Sequence, residues 1–301
     1  MEHQKAGRSG HLGHAMFQNH DHELFAFYAD CTGEDFNGHS AVGWMQYKVS
    51  PDGGLTWGEP QILDLSKRYS DQGAGRTLFS EKAVVTDSGA VVMLHLVCDV
   101  SRTPVWEPYH VPLATRSLDG GYTWGEPIEV GNERGRIYGA AYTDGTIYVL
   151  KFCNDATVDY CGASDEHVYR LFVSYDDGVS FEALSTLPFD TRGRGYGTIC
   201  VRSDGSLVAY VYNRNDETAA DYCISKDGGR TWEAPRVAFM ARRLRNPQMI
   251  SFAGAYFMHG RSGSHGADAD KGHVILYRSP DGITWDEGTY LARREHGHGA
   301  Y

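Results

Sequence analysis

SLDGGYTW, residues 117–124, brings a serine, an aspartate, two glycines, a threonine and a tryptophan into eight positions. An aspartate in such a setting accepts backbone N–H bonds inside a tight turn. Glycine admits positive φ, the hydroxyls cap further turn groups, and the tryptophan offers a large apolar anchor at the head of the strand that follows. The pattern recurs as SPDGGLTW (50–57), SYDDGVSF (174–181), SKDGGRTW (225–232) and, one residue shorter, SPDGITW (279–285). Asp52, Asp119, Asp176, Asp227 and Asp281 lie 67, 57, 51 and 54 residues apart. Five unrelated hairpin turns would not keep that spacing, which suits a repeated four-stranded unit with its loops.

A second periodic signal precedes each corner. AMFQNHDHELFAFYAD (15–30), KAVVTDSGAVVMLHLVCD (82–99), AAYTDGTIYVLKFCND (140–155), TICVRSDGSLVAYVYNR (198–214) and MISFAGAYFMHGR (249–261) are β-rich runs around turn-forming residues, as hairpins require. Helical periodicity is nearly absent. The chain therefore reads as one all-β domain over 1–301, with units at about 11–63, 76–130, 134–187, 192–240 and 243–292. REHGHGAY (294–301) reads as the opening of a sixth unit cut short.

The corners resemble the Asp-boxes of the sialidase superfamily. The resemblance implies a β-propeller of four-stranded blades, each with its Asp-box between the third and fourth strands, and gives the boxes a structural role away from the active face. It implies six blades, with seven, an incomplete ring or a five-bladed ring as the competing arrangements.

Composition narrows the partners. Aromatics make up 12% of the chain, glycines number 36 and the net charge is −11. A nucleic-acid or membrane-surface binder needs a basic face, so neither is expected, whereas an acidic sugar needs only a few local arginines. No run of about 18 apolar residues is present, so no membrane span is expected. The start, MEHQKAGRSG, has no apolar leader core, which reads as cytoplasmic, or as secreted or periplasmic if a leader was removed. Cys31, Cys98, Cys153, Cys161, Cys200 and Cys223 form no CxxC pair and read as free, mostly buried thiols. The sequence leaves the oligomeric state open.

In a propeller the innermost strands meet at one face. Aligned on their first turns, the units place His14, Ser80 and Glu81, Tyr138, Tyr196, Asn246 and, in the sixth stub, His298 at that entry. Arg76, Arg134, Arg136, Arg192, Arg194, Arg243 and Arg245 fall close by, and the second strands end at Asp30, His95, Asn154, Arg214 and Arg261. Arginine can clamp a carboxylate through paired hydrogen bonds, and tyrosine, histidine or glutamate can move a proton or assist a nucleophile. Tyr196, Tyr138, His95, His14 and Glu81 are thus the catalytic candidates. Arg194, Arg214, Arg245 and Arg261 are the candidates for holding a substrate carboxylate.

No cofactor is expected. A divalent metal between His14 and His298 is the alternative weighed. HDH (20–22) reads as a solvated turn and DADKG (268–272) as a loop without the glutamate of a calcium site.

Resemblance to sialidases would imply removal of a terminal sialic acid by three arginines, a tyrosine–glutamate pair and an aspartate acid/base. The Arg-Ile-Pro opening of that family is replaced here by GHLGHAMFQ (10–18), with Asp30 or Asp35 as arguable acids. The order His95, Tyr138, Tyr196 is similar to that of propeller lyases of uronate polysaccharides, the ulvan lyases, although Lys151 and Asn154 stand near the place of their arginine. His14 resembles the histidine of propeller rhamnosidases that cut beside glucuronate. The leading expectation is cleavage of an acidic oligo- or polysaccharide by a uronate-directed lyase or glycosidase. The alternatives are an exo-sialidase and a non-catalytic carbohydrate-binding propeller.

Overall fold

In a computed structural model the described residues are 8–9, 13–32, 42–72, 76–99, 109–153, 167–262 and 272–293. They form five antiparallel sheets. The first contains β1 (Arg8–Ser9), β2 (His14–Gln18), β3 (Leu24–Thr32), β4 (Val42–Ser50) and β5 (Gln61–Ile62). Both β1 and β2 pair with β3, so they act as one interrupted innermost strand. The second blade is β6 (Arg76–Val85), β7 (Val91–Asp99), β8 (Leu113–Ser117) and β9 (Ile128–Glu129). The third is β10 (Gly135–Thr143), β11 (Thr146–Cys153), β12 (Val168–Ser174) and β13 (Glu182–Leu187). The fourth is β14 (Arg194–Val201), β15 (Leu207–Asn213), β16 (Ala219–Ser225) and β17 (Arg236–Phe239). The fifth is β18 (Arg245–Phe252), β19 (Ala255–Ser262), β20 (His273–Ser279) and β21 (Thr289–Ala292).

Blades two to five each run in sequence order from first strand to fourth. Five blades stand among the described residues, not the expected six. The presumed sixth opening, residues 294–301, lies outside the described residues. The chain divides into two compact units, Met1–Asp159 with Phe172–Ala183, and Tyr160–Leu171 with Leu184–Tyr301, so that β12 and β13 of the third blade are each divided between them.

All five Asp-boxes lie between a third and a fourth strand, as the resemblance implied. Their bonding repeats almost atom for atom. Asp119 Oδ1 accepts from the Ser117 hydroxyl at 2.7 Å and the Thr123 amide at 2.9 Å, and Oδ2 accepts from the Thr123 hydroxyl at 2.6 Å. Asp52, Asp176 and Asp227 do the same with Thr56, Ser180 and Thr231. The shortened fifth corner retains the set through Thr284. Gly178 (φ +78°) shows why glycine follows the aspartate: a Cβ there would lie 2.6 Å from Val92 Cγ2 of the second blade.

The boxes also join neighbouring blades. Trp124 meets Phe17 and Phe27 of the first blade edge-on. Arg116 Nε donates to the Asp177 carbonyl at 2.7 Å, Trp232 Nε1 donates to Ser185 Oγ at 3.0 Å, and Trp285 Nε1 donates to the Tyr210 hydroxyl at 3.2 Å. The four tryptophans precede the fourth strands by several residues instead of heading them; only Phe181 directly abuts its strand. Trp124, Trp232 and Trp285 serve the interface between blades, whereas Trp57 Nε1 donates to the Gly54 carbonyl of its own corner at 3.0 Å.

Alternation along the strands builds the cores. In the first unit Phe17, Phe25, Phe27, Met45, Tyr47, Phe79 and Met93 share one buried cluster, and in the second Tyr210, Tyr222, Met249, Tyr256, Met258 and Tyr277 share another. Each such large side chain stabilises the fold by roughly 1.5–3 kcal/mol. Cys98, Cys153, Cys200 and Cys223 are buried free thiols, as expected.

One element escaped the sequence reading. Helix α1 (Asp64–Asp71) links the first and second blades. Its Ser66 hydroxyl accepts from the Met45 amide at 2.9 Å and donates to the Leu78 carbonyl at 2.5 Å. Leu65 packs with Leu78, Val97 and Leu113. Eight residues, DLSKRYSD, are too short to show a helical period.

The corner carboxylates define two expectations. Burial pushes the Asp119 carboxyl up, but the hydroxyl and amide of Thr123 and the Ser117 hydroxyl outweigh it and hold the group at about 2. Asp119→Ala should therefore lower stability by about 1–3 kcal/mol through lost turn hydrogen bonds, with catalytic or binding constants unchanged; paired denaturation and activity titrations check both. Asp227, held down chiefly by the Thr231 hydroxyl and amide, also sits at about 2. Because these folded values lie below the unfolded ones, their contribution is complete above pH of about 4 and fades as pH falls toward about 2. Denaturation midpoints measured across that window should drop, and a flat profile would contradict the role.

Candidate functional site

The innermost strands carry the site candidates, and a shared irregularity presents them. In β6 the register passes from Ser80↔His95 to Lys82↔Leu94, leaving Glu81 as an extra residue. In β10 it passes from Ile137↔Lys151 to Gly139↔Leu150, leaving Tyr138. In β14 it passes from Gly195↔Tyr212 to Gly197↔Val211, leaving Tyr196. In β18 it skips from Arg245↔Arg261 to Gln248↔His259, freeing Asn246 and Pro247. A β-bulge releases a residue from the ladder and re-aims its side chain. Tyr196 takes φ +21° and Asn246 φ +53°, backbone seldom adopted outside glycine. Alignment on the first turns thus named a residue released by each of these four bulges, whereas His14 and Ser80, also aligned there, stay in register with Tyr28 and His95.

In the first unit the bulge turns Glu81 toward Arg136. Arg136 Nε donates to Oε2 at 2.7 Å and Nη2 to Oε1 at 2.6 Å, with both side chains largely buried. Such a forked, charge-assisted pair is strong and directional. The same guanidinium lies 5.9 Å from the Tyr138 ring centre, and Tyr138 packs against Phe152. Lys82 Nζ donates to the Glu81 carbonyl at 3.0 Å. Burial pushes this amine down to about 8; the Glu81 charge opposes the shift and the Arg136 charge adds to it.

His95, opposite the bulge, is 1% exposed. Its Nδ1 lies 3.2 Å from Ser80 Oγ and its Nε2 2.7 Å from Thr115 Oγ1. Burial depresses it to about 3, so the ring is neutral. His14 is exposed at the start of β2. Lys151, expected near a substrate-binding position, is instead buried and donates to the Val130 and Glu133 carbonyls. Asp30 accepts from Gln46 Nε2 at 2.8 Å. Asn154, Asp35 and His298 lie outside the described residues, and so does the proposed His14–His298 pairing. HDH is an exposed turn.

In the second unit Arg194 Nε donates to Asp221 Oδ2 at 2.7 Å, and Nη1 reaches Asn213 Oδ1 at 3.3 Å. Tyr196, 7% exposed, stacks on Tyr212 at 6.0 Å. The Arg245 guanidinium lies 5.7 Å from the Tyr212 ring centre, with Nε 3.2 Å from Glu217 Oε1. Arg243 Nε donates to Glu217 Oε2 at 2.7 Å. Arg261 is half-buried opposite Arg245, whereas Arg214 is exposed.

Arg194 and Arg245, chosen for a substrate carboxylate, are therefore already oriented by carboxylates of the protein. Sequence reasoning missed those acids. Asp221 had a signal, as the single charge in the apolar strand AADYCIS. Glu217, in a polar turn, had none.

No family model and no curated protein matches the sequence. Solved structures do match in shape. A protein of unknown function from Dyadobacter fermentans is 15% identical with a TM-score of 0.65, over 95% of this chain and 96% of that one. A Hadza microbial sialidase is 16% identical with a TM-score of 0.68, over 94% of this chain and 58% of that one. A variant of NanB sialidase from Streptococcus pneumoniae is 10% identical with a TM-score of 0.66, over 96% of this chain and 63% of that one. This chain thus spans about three fifths of those two sialidases, and at such identities the likeness concerns the backbone. The chain has the β-propeller fold found in sialidases.

Proposed function

We propose that the protein cleaves an acidic glycan, uronate- or sialate-containing, at the entry ends of its innermost strands. The observation that carries this reading is Tyr196: a tyrosine expelled by a bulge, held at positive φ and stacked on Tyr212, in the unit that also holds the Arg194–Asp221 pair and the Arg243–Arg245–Glu217 group. Strained backbone is retained where surrounding structure enforces it, and such positions cluster at functional sites.

In the uronate-directed reading a cation neutralises the sugar carboxylate and acidifies the neighbouring C–H. A tyrosine then takes that proton as a C=C bond forms and the glycosidic C–O bond at the β-carbon breaks, and the departing oxygen is protonated to become the new reducing end. Tyr196 and Tyr138 are the proton-moving candidates, one per unit. Arg194 and Arg245, held in place by Asp221 and Glu217, recognise charge with little reorganisation, and Arg214 and Arg261 supply further positive charge. Glu81 fixes Arg136. His95, neutral and enclosed, positions Ser80 behind the bulge, and His14 stays solvent-accessible beside it.

The second reading, hydrolysis of a terminal sialic acid, is favoured by the sialidases among the structural neighbours. It would use a tyrosine as nucleophile, and Glu81 engaged with Arg136 leaves that tyrosine without its usual glutamate partner. A non-catalytic module would bind without turnover.

A screen of uronate polysaccharides and sialosides, followed by reducing ends and by ultraviolet absorbance, separates the three. Elimination yields both signals, hydrolysis only reducing ends, and a binding module neither. Tyr196→Phe should lower turnover at least about 100-fold on the substrate found while leaving the melting temperature near that of the parent. Near-parental rates would remove Tyr196 from the mechanism.

A further inference from the structure

The entry cluster of the first unit contains a cation that neither the fold nor the proposed chemistry uses. Lys82 follows the bulge residue of β6 and is half-buried. An ammonium has three donors. Here one goes to the Glu81 carbonyl, and among the described residues no carboxylate comes within ion-pair distance. Glu81, the neighbouring acid in sequence, is engaged in its fork with Arg136. A partly desolvated ammonium facing one backbone oxygen is costly unless something else pairs with it.

Three other lysines have evident settings, and Lys48 lies on β4, a third strand and not an innermost one. Lys67 is tied to Asp71, Lys226 to Glu233, and Lys151 is satisfied by backbone carbonyls. The arginines around the entry are also engaged. Arg136, Arg194, Arg243 and Arg245 each meet a carboxylate of the chain.

We propose that Lys82 is the group that anchors the carboxylate of the acidic sugar, and that the Arg136–Glu81 fork exists to hold it beside the bulge without neutralising it. This inference rests on the acidic-glycan reading above. It makes a point cation of the first unit the anchor for the carboxylate, with the paired arginines named above as further positive charge. Point cations accept a carboxylate from several directions, which suits a sugar that must shift as a bond breaks. Burial, chiefly, pushes the amine down to about 8, with the Glu81 charge opposing the shift and the Arg136 charge adding to it. Because the amine is charged below that value, sugar binding should be intact at neutral pH and fade as pH rises through it.

The test is calorimetric binding of a glucuronate-terminated oligosaccharide and of sialyllactose, with lactose as the neutral control, to the full chain and to Lys82→Met and Lys82→Arg. The methionine variant should lose at least about tenfold in affinity for whichever acidic sugar binds, and the arginine variant should keep most of it. Between about pH 7 and about pH 9.5 the parent should weaken about tenfold or more while the arginine variant does not, since guanidinium stays charged. Should the methionine variant fail to fold, acetic anhydride labelling of the parent, mapped by peptide mass spectrometry, replaces it: bound sugar should protect Lys82 and leave Lys226 unchanged. Equal binding by parent and methionine variant, or labelling of Lys82 indifferent to sugar, overturns the proposal and leaves the acidic-glycan reading standing. A parent that binds neither acidic sugar overturns both.

Discussion

The carboxylate of each Asp-box is the constraint on which the rest of the molecule depends. One oxygen closes the corner by accepting from the serine two residues back and the amide four residues on; the other takes the hydroxyl of the same downstream residue. That grip uses positive-φ glycines and sends the chain back so that the fourth strand lies antiparallel to the third. It also projects a tryptophan onto the preceding sheet in the second, fourth and fifth blades. A local turn thereby sets contacts between blades, and the inner strands inherit their positions from it.

Against that regular frame the bulges are the departures that matter. The ladders of β6, β10 and β14 each lose one residue from register, and β18 loses two against one. A strand in register hides alternate side chains against the neighbouring blade; an expelled residue is released from that alternation. Glu81 uses the freedom to reach an arginine of the next blade. Tyr196 uses it to stack on Tyr212. Within each unit the repeated frame and its bulges place side chains of different chemistry at corresponding points of the innermost strands.

Charge at these positions is largely settled within the protein. Three carboxylates, Glu81, Asp221 and Glu217, take up four arginines. Paired in this way, a guanidinium is held rigid and keeps one face for aromatic contact, as Arg245 does over Tyr212. Rigid cations can recognise an anion with little entropy lost, but their positive field is weakened by the partner. An ammonium beside a neutralised pair is the complementary solution, and Lys82 has that setting.

The five aspartate corners, the hairpins before them and the alignment that singled out Glu81, Tyr138, Tyr196 and Asn246 were all legible in the sequence. Each depends on residues a few positions apart, where turn chemistry and strand period act directly. The blade number was overestimated because a short tail, 294–301, resembled a strand opening, and α1 was missed because eight residues show no period. Beyond these, the long-range pairings belonged to tertiary structure alone. Arg136 meets Glu81 of the preceding blade over 55 positions, and Arg194 meets Asp221, two strands away in its own blade, over 27. No local pattern encodes which arginine is consumed by the protein and which cation is left for a ligand, because Coulombic partners are chosen by proximity in the folded chain, and proximity between blades arises only once the sheets have packed.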